Sequence, residues 1–385
     1  MKYLVIGDAN SMHIYNYVKN VLLKFDFEIH LMTLSTECVR QEYQNFYKVN
    51  NVILHSLAQK KIPSLRNKSI KDRLLNFYLK YKLLDEVGKI DICHIQSVYK
   101  TSIFFYLLKR KNFNHFIASY WGGDIENLNS LVVKIRKIAF SFADVITVTT
   151  LKTYNEFKEL YGNVFDNKLQ ICRMATEGLD WIHNISQAKT IRDCRKELDL
   201  PLDKVIITCG YSAYADQHQD IILDMISKLS AEIKRNIYVI VPMQYGRYNK
   251  TYIKKVEEKA QRVGCEYKIL EEYFSFEKNA KLTISTDIYL HMRDTDAFSN
   301  SLKEHVYAGT RIIIGNWLKY YELEQMEAPV NYVDSFEQLP LLLEKLILES
   351  IHEGHKKYLF SPMYVMYSQD GIQKQWCEIL SKIIK

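Results

Sequence analysis

Ile288-Tyr289-Leu290-His291, then Met292-Arg293-Asp294-Thr295-Asp296-Ala297-Phe298-Ser299-Asn300-Ser301-Leu302-Lys303-Glu304, then Arg311-Ile312-Ile313-Ile314, is the stretch that decides the fold. A short apolar run ends in a polar loop, an amphipathic segment follows, and a second apolar run closes the unit. Apolar runs of this length alternating with helical patterns make a parallel sheet covered by helices. Outward from this unit, the second half repeats the pattern with strands at Val205–Thr208, Ile237–Val241, Tyr267–Leu270 and Tyr332–Val333. The first half carries it at Tyr3–Ile6, Glu28–Met32, Val52–Leu54, Ile92–Ile95, Phe116–Ser119, Val145–Val148 and Leu169–Cys172. The expectation is an α/β chain with two doubly wound, Rossmann-like domains.

Length agrees, since 385 residues exceed what one hydrophobic core organises. The join is expected within 178–200, where Gly178-Leu179-Asp180 gives way to a charged helix and then Leu200-Pro201. The divisions drawn are 1–185, 186–360 and a helical segment 361–385. With 48% hydrophobic and 25% charged residues, the composition excludes a disordered or collagenous chain. Seven scattered cysteines without a C-x-x-C pair argue against a disulfide framework and a structural zinc site, which suits a reducing cytoplasm. No apolar run reaches the length of a membrane span.

Ligands of doubly wound sheets bind beyond the carboxyl ends of the strands, so the loop after His291 is where chemistry is expected. Ser299 or Asn300 is a natural N-cap, and the free amides of the helix that follows suit a diphosphate. Glu304 lies one turn in and could reach the hydroxyls of a ligand held there. The plainer alternative is a capped helix with a solvated glutamate.

The Asp296 to Glu304 spacing, with Ser299, Ser301, Leu302 and Gly309 in register, resembles the Asp-Gly-Thr-Ser-x-Ser-Leu-Leu-Glu stretch of retaining GT-B glycosyltransferases, family 4 above all. Gly7-Asp8-Ala9-Asn10-Ser11-Met12-His13 is similar to the first strand-loop of a subgroup of that family. Tyr120-Trp121-Gly122-Gly123-Asp124 and Ala143-Asp144-Val145-Ile146-Thr147-Val148-Thr149 follow in the family's order. The resemblance implies a GT-B fold whose domains face a central cleft, with the C-terminal helix crossing back. It places Glu304 on the nucleotide ribose, Asp296 on a hydroxyl of the donor sugar, and the amides of Phe298, Ser299, Asn300 and Ser301 around the diphosphate. Asp124 and His13 would stand near the transferred sugar and the acceptor. Tyr211 and Leu270 complete the expected donor site.

The sequence departs from the family after the first strand of the second half. Cys209-Gly210-Tyr211-Ser212-Ala213-Tyr214-Ala215-Asp216-Gln217-His218 lacks the Arg and Lys that members use against the leaving diphosphate. This stretch, with Val241-Pro242-Met243-Gln244-Tyr245-Gly246-Arg247, is similar to bacterial 4-acetamido-4,6-dideoxygalactose transferases. Arg247 or Arg293 is expected to supply the missing charge, because a departing diphosphate must be met by cations or preorganised donors. Asp294-Thr295-Asp296 spells the D-x-D string of another glycosyltransferase fold, but its place before a helix suits phosphate binding without a metal. No cofactor is expected, only a UDP- or dTDP-linked donor sugar. A single glycine in Gly7-Asp8-Ala9-Asn10 argues against a dinucleotide oxidoreductase.

The charge is uneven. Residues 1–190 hold 26 basic and 17 acidic residues, and the rest 26 and 28. Lys60, Lys61, Arg66, Lys68, Lys71, Arg73, Lys80 and Lys82 cluster with only Asp72 among them. With aromatic and leucine residues interleaved, this 60–82 segment reads either as the solvated face of a core helix or as a contact to an anionic membrane surface. No nucleic-acid module is present. The expected protein is a metal-independent, retaining hexosyl- or N-acetylhexosaminyl-type transferase, cytoplasmic and peripheral on the inner membrane face. Its acceptor would be lipid-linked or a growing surface polysaccharide such as capsule or O-antigen. The alternatives are a nucleotide-sugar epimerase on the same scaffold and a non-catalytic sugar-nucleotide-binding subunit.

Overall fold

The computed structural model describes residues 1–35, 37–58, 70–97, 100–121, 130–354 and 358–384. The chain divides into two compact units, Met1–Ala175 with Asp370–Lys385, and Thr176–Gln369. The divisions therefore lie at 175/176 and 369/370.

In the first unit β1 (Lys2–Ile6), β2 (Glu28–Thr33), β3 (Ile53–Ser56), β4 (Ile90–Gln96), β5 (Phe113–Tyr120), β6 (Val145–Val148) and β7 (Leu169–Ile171) form one parallel sheet in the order β3-β2-β1-β4-β5-β6-β7. Its strands are apolar on both sides because helices cover both. Leu4, Ile6, Cys93 and Phe116 enter one core, and Tyr3, Val5, Ile92 and Ile117 the other. The last helix, Gln369–Ile384, belongs to this second core: Trp376 meets the ring of Tyr17 with centroids 4.8 Å apart.

In the second unit β8 (Val205–Cys209), β9 (Ile237–Pro242), β10 (Glu266–Leu270), β11 (Ile288–His291), β12 (Arg311–Gly315) and β13 (Val330–Val333) give the order β10-β9-β8-β11-β12-β13, again all parallel. Thirteen strands thus stand where short apolar runs were read. At the amino ends of β8 and β11, buried Arg195 donates to the carbonyls of Ser285 (2.9 Å) and Lys204 (3.0 Å) and to Asp287. Asp287 also accepts from the Ile206 amide at 2.7 Å, so this buried pair is fully bonded, the condition under which burial of charge is tolerated.

Strand order reverses between β8 and β11. Loops leaving two such strands turn to opposite faces of the sheet and leave a crevice at their carboxyl ends.

Candidate functional site

The β8 and β11 loops meet at this crevice. The β11 loop is organised around Asp296, whose side chain is 3% exposed. Its Oδ2 accepts the Ser299 amide at 2.7 Å and the Tyr320 hydroxyl at 2.9 Å. Its Oδ1 accepts from Arg293 Nη1 at 3.2 Å and the Tyr211 hydroxyl at 3.4 Å, and His291 Nε2 lies 3.4 Å from Oδ2. Burial alone would raise its pKa. The His291 ring, the Ser299 amide and the Tyr320 hydroxyl outweigh it and hold the carboxyl well below the usual range. Tyr320 moves the other way, raised by burial and by the charge of Asp296, and so remains a donor.

The helix Asn300–Tyr307 begins here with Ser299 at its N-cap. The Ser299 hydroxyl makes no capping bond; the Asp296 carboxylate takes the Ser299 amide instead. Phe298 sits at φ +64, a left-handed conformation that costs a side-chain-bearing residue of order 1 kcal/mol and survives only where packing enforces it. Its ring is held 5.3 Å from Tyr320 and 5.6 Å from Tyr367. The first i to i−4 bond at this end runs from Lys303 N to Ser299 O, 3.2 Å. The amides of Asn300, Ser301 and Leu302 thus have no acceptor within the helix, which makes this end suited to an anion. Two side chains of that turn are engaged: Asn300 Oδ1 accepts from Thr176 (3.0 Å), and Ser301 donates to Tyr289 (3.1 Å).

Arg293 bridges the two loops. It donates to Asp216 through Nε (3.1 Å) and Nη2, and through Nη1 to the hydroxyl of Tyr211 as well as to Asp296. Burial opposes its charge, but the bond to Asp216 and the neighbouring Tyr211, Asp216 and Asp296 hold the guanidinium above its ordinary pKa. The loop expected to carry Arg and Lys therefore carries the acid that recruits an arginine from the next loop. Gly210, at φ +67, lets this loop turn tightly, and a β-carbon there would stand 2.5 Å from Gln217 Oε1. Gln219 Nε2 donates to the carbonyls of Cys209 (3.1 Å), Ser212 (3.0 Å) and Pro242 (3.0 Å), tying the β8 and β9 loops together.

Glu304 is buried where its helix meets the helices Glu177–Ala188 and Phe276–Ser285. Its Oε2 accepts from Asn279 at 3.1 Å, and Gly178 leaves room for it: a β-carbon there would lie 2.0 Å from Oε1. Burial pushes its pKa up to about 7, with Lys303 and Asn279 acting against the rise. Lys303, itself 8% exposed, sits 5.1 Å over the Phe298 ring and 4.8 Å over that of Tyr367. Arg247, the other expected cation, donates to the Met243 carbonyl (3.1 Å) and pairs with Glu271 (3.2 Å). Leu270 is buried at the end of β10, and Tyr245 stands 6.3 Å from Tyr211.

Of the residues singled out from sequence, Tyr211, Arg293, Asp296, Phe298, Ser299, Asn300, Ser301 and Glu304 gather around one loop and helix start. Arg247 and Leu270 come from the β9 and β10 ends. His13 belongs to the first unit, exposed at the start of the helix Met12–Asn20 with its ring 5.5 Å from Trp121. Asp124 lies outside the described residues, as do Lys60, Lys61, Arg66 and Lys68. Asp216, His291, Tyr320, Asn279 and Gly178 were not singled out for the site. For Asp216 a signal existed, since an acid in the loop where cations were missing needs a partner. Among the described residues no group of three His, Cys, Asp or Glu is placed to hold a metal ion.

Residues 2–150 match the family described as Glycosyl transferase 4-like. No curated protein matches the sequence. Among solved structures, a glycosyltransferase from Rickettsia africae ESF-5 superposes with a TM-score of 0.71 at 14% identity, over 100% of this chain and 98% of that one. Sucrose-phosphate synthase from Thermosynechococcus elongatus gives 0.68 at 11% identity, over 100% and 99% of the two chains. HepE of Anabaena in complex with UDP gives 0.68 at 12% identity, over 99% and 100%. At such identities the likeness speaks for the fold, and that fold is GT-B, with parallel sheets of seven and six strands.

Proposed function

We propose that the protein is a glycosyltransferase that moves a sugar from a nucleotide donor to an acceptor hydroxyl, with retention of configuration. The observation that carries the reading is the helix start beside Asp296, where amides without helical acceptors stand next to Arg293. Those amides would receive the diphosphate, and Arg293 the charge that develops on it. Glu304 would accept from the ribose hydroxyls. The bond from the anomeric carbon to the diphosphate oxygen breaks, the acceptor oxygen bonds to that carbon from the same face, and the acceptor proton passes to the leaving diphosphate. No nucleophile from the protein enters, so positioning and electrostatics do the work.

The donor in this reading is UDP- or dTDP-linked and carries a hexosyl or N-acetylhexosaminyl group. Bound structures of neighbours support a nucleotide ligand, since HepE was solved with UDP. The acceptor is a lipid-linked or growing surface polysaccharide, met by the basic first unit at the inner membrane face. Thermal shift with a panel of nucleotide sugars, followed by nucleotide release with lipid-linked acceptors, tests it. Wild-type protein should release nucleotide only with acceptor, and Glu304→Ala should lose donor binding by about 10- to 100-fold. Near-normal transfer by that variant would sink the assignment.

One observation favours a second reading. Arg293 is already bonded to Asp216, Tyr211 and Asp296, as expected of a sugar-nucleotide-binding protein that turns nothing over. Donor binding without nucleotide release under any acceptor selects it.

A further inference from the structure

We propose that the outward faces of the helices Lys100–Lys109 and Ser130–Ser141 in the first unit form a dock for an anionic lipid bilayer. Both helices lie over the same side of the sheet and bury Ile103, Phe105, Tyr106, Ala139 and Phe140 in its core. Their other faces are apolar too. Phe104 and Leu108, one turn apart, are exposed at 41% and 55%. Leu131 and Ile138, two turns apart with Lys134 between, are exposed at 63% and 54%. Phe142 continues the second stripe, and the guanidinium of Arg110 lies 3.9 Å over its ring, joining the ends of the two helices. A globular surface rarely keeps large aliphatic side chains in helical register on adjacent helices without a partner.

The charge on this face selects the partner. Residues 100–113 and 130–142 contain seven Lys and Arg and no Asp or Glu. Arg110, Lys111, Lys134 and Lys137 are exposed and pair with no carboxylate among the described residues. A second copy of the chain meeting this face with its own would bring cation against cation, since such a contact is isologous. A single-stranded nucleic acid would call for a row of stacking platforms, whereas three of the five exposed apolar side chains, Leu108, Leu131 and Ile138, are aliphatic and only Phe104 and Phe142 are aromatic. Apolar side chains ringed by cations that pair with no carboxylate among the described residues match acyl chains beneath anionic headgroups.

The sequence pointed instead to residues 60–82, of whose eight basic side chains only Lys80 and Lys82 are described. The exposed apolar stripes come later, on two helices whose hydrophobic residues read in sequence as ordinary core. The use of the dock rests on the proposed lipid-linked acceptor, but docking itself is measured separately.

Sedimentation with vesicles of equal parts phosphatidylglycerol and phosphatidylcholine, beside phosphatidylcholine alone, tests the proposal on the full chain. Wild-type protein should sediment with the anionic vesicles, be released by high salt, and stay in solution with phosphatidylcholine. Removing one basic contact should weaken binding about fivefold, so Lys134→Gln with Lys137→Gln should cost about 30-fold. Leu131→Ser with Ile138→Ser should lower it at least tenfold, while Leu341→Ser, on an exposed position of the second unit, should leave it unchanged. Equal sedimentation with both vesicle types, or helix variants that sediment like wild type, overturns the proposal. So does a dimer in gel filtration that Leu131→Ser with Ile138→Ser converts to monomer without any vesicle binding. Thermal shift with nucleotide sugars on the same variants keeps the two readings apart: vesicle binding without nucleotide-sugar binding leaves the dock standing and removes the transferase, and the reverse removes only the dock.

Discussion

Each unit buries a chain of polar side chains, and the two chains are opposites. In the first unit Tyr3 and Tyr17 bond each other (2.8 Å) and His94 Nδ1 (2.9 and 3.1 Å). His94 Nε2 reaches Ser119 (2.7 Å), and Ser119 reaches Thr147 (2.7 Å). This chain crosses β1, β4, β5 and β6 in mid-sheet and carries no charge; burial holds the His94 pKa down to about 3. In the second unit Asp216, Arg293 and Asp296 stand with Tyr211, Tyr320 and His291 at the carboxyl ends of the strands. The first satisfies its buried donors and acceptors, as burial demands, whereas in the second Asp216 Oδ1 is buried without a hydrogen-bond partner. Only the second keeps ionised groups, and it does so where a ligand of a doubly wound sheet arrives. A neutral network in mid-sheet rigidifies; a charged one at the crevice holds a field ready, at a cost in solvation that its mutual bonds offset.

The largest test of this contrast is pH. His94 binds its proton less readily folded than unfolded, so the first unit loses stability as pH falls from 6.5 towards 3, by about 5 kcal/mol in full. Glu304 has the opposite sign. Its folded pKa of about 7 lies above the ordinary 4.5, so its contribution is present at low pH and lost as pH rises through that interval. Chemical denaturation across pH should show an acid limb that His94→Gln flattens; an unchanged acid limb would break the comparison.

Next in size, Asp296→Ala should destabilise the second unit by about 4 kcal/mol, because Arg293, the Ser299 amide and Tyr320 lose a shared buried partner. A loss under about 1 kcal/mol in denaturant titrations would show that the charged network is not held together by this carboxylate. Glu304→Gln should then remove a slope worth about 3 kcal/mol between pH 4.5 and 7, and should flatten a nucleotide-sugar affinity that in wild type rises as the carboxylate ionises. Calorimetric titration with donor at several pH values reads the second effect. Smallest is Thr147→Val, which takes one hydroxyl from the neutral chain and should cost about 1 kcal/mol with donor affinity unchanged. A change in donor affinity there would mean that the neutral chain is not merely structural.

The fold was legible far more fully than the site. Strand positions follow from short-range pattern, because each strand of a sheet covered on both faces must itself be apolar; the run at Ile288–His291 shows this within four residues. The Asp296 to Glu304 spacing was visible for the same reason, lying within one loop and its helix. The state of those residues was not. Asp216 and Arg293 are separated by 77 positions and meet because the strand order reverses between β8 and β11. Tyr320 reaches Asp296 from beyond the following strand, and Gly178 gives Glu304 its space from a helix more than a hundred residues earlier. Sequence by itself determined where strands, helices and the turn before the helix Asn300–Tyr307 lie, since hydrophobic period and capping are local. Tertiary structure alone decided which charges are paired, which are buried and which apolar stripes stay exposed, since those depend on what distant segments bring to the same place.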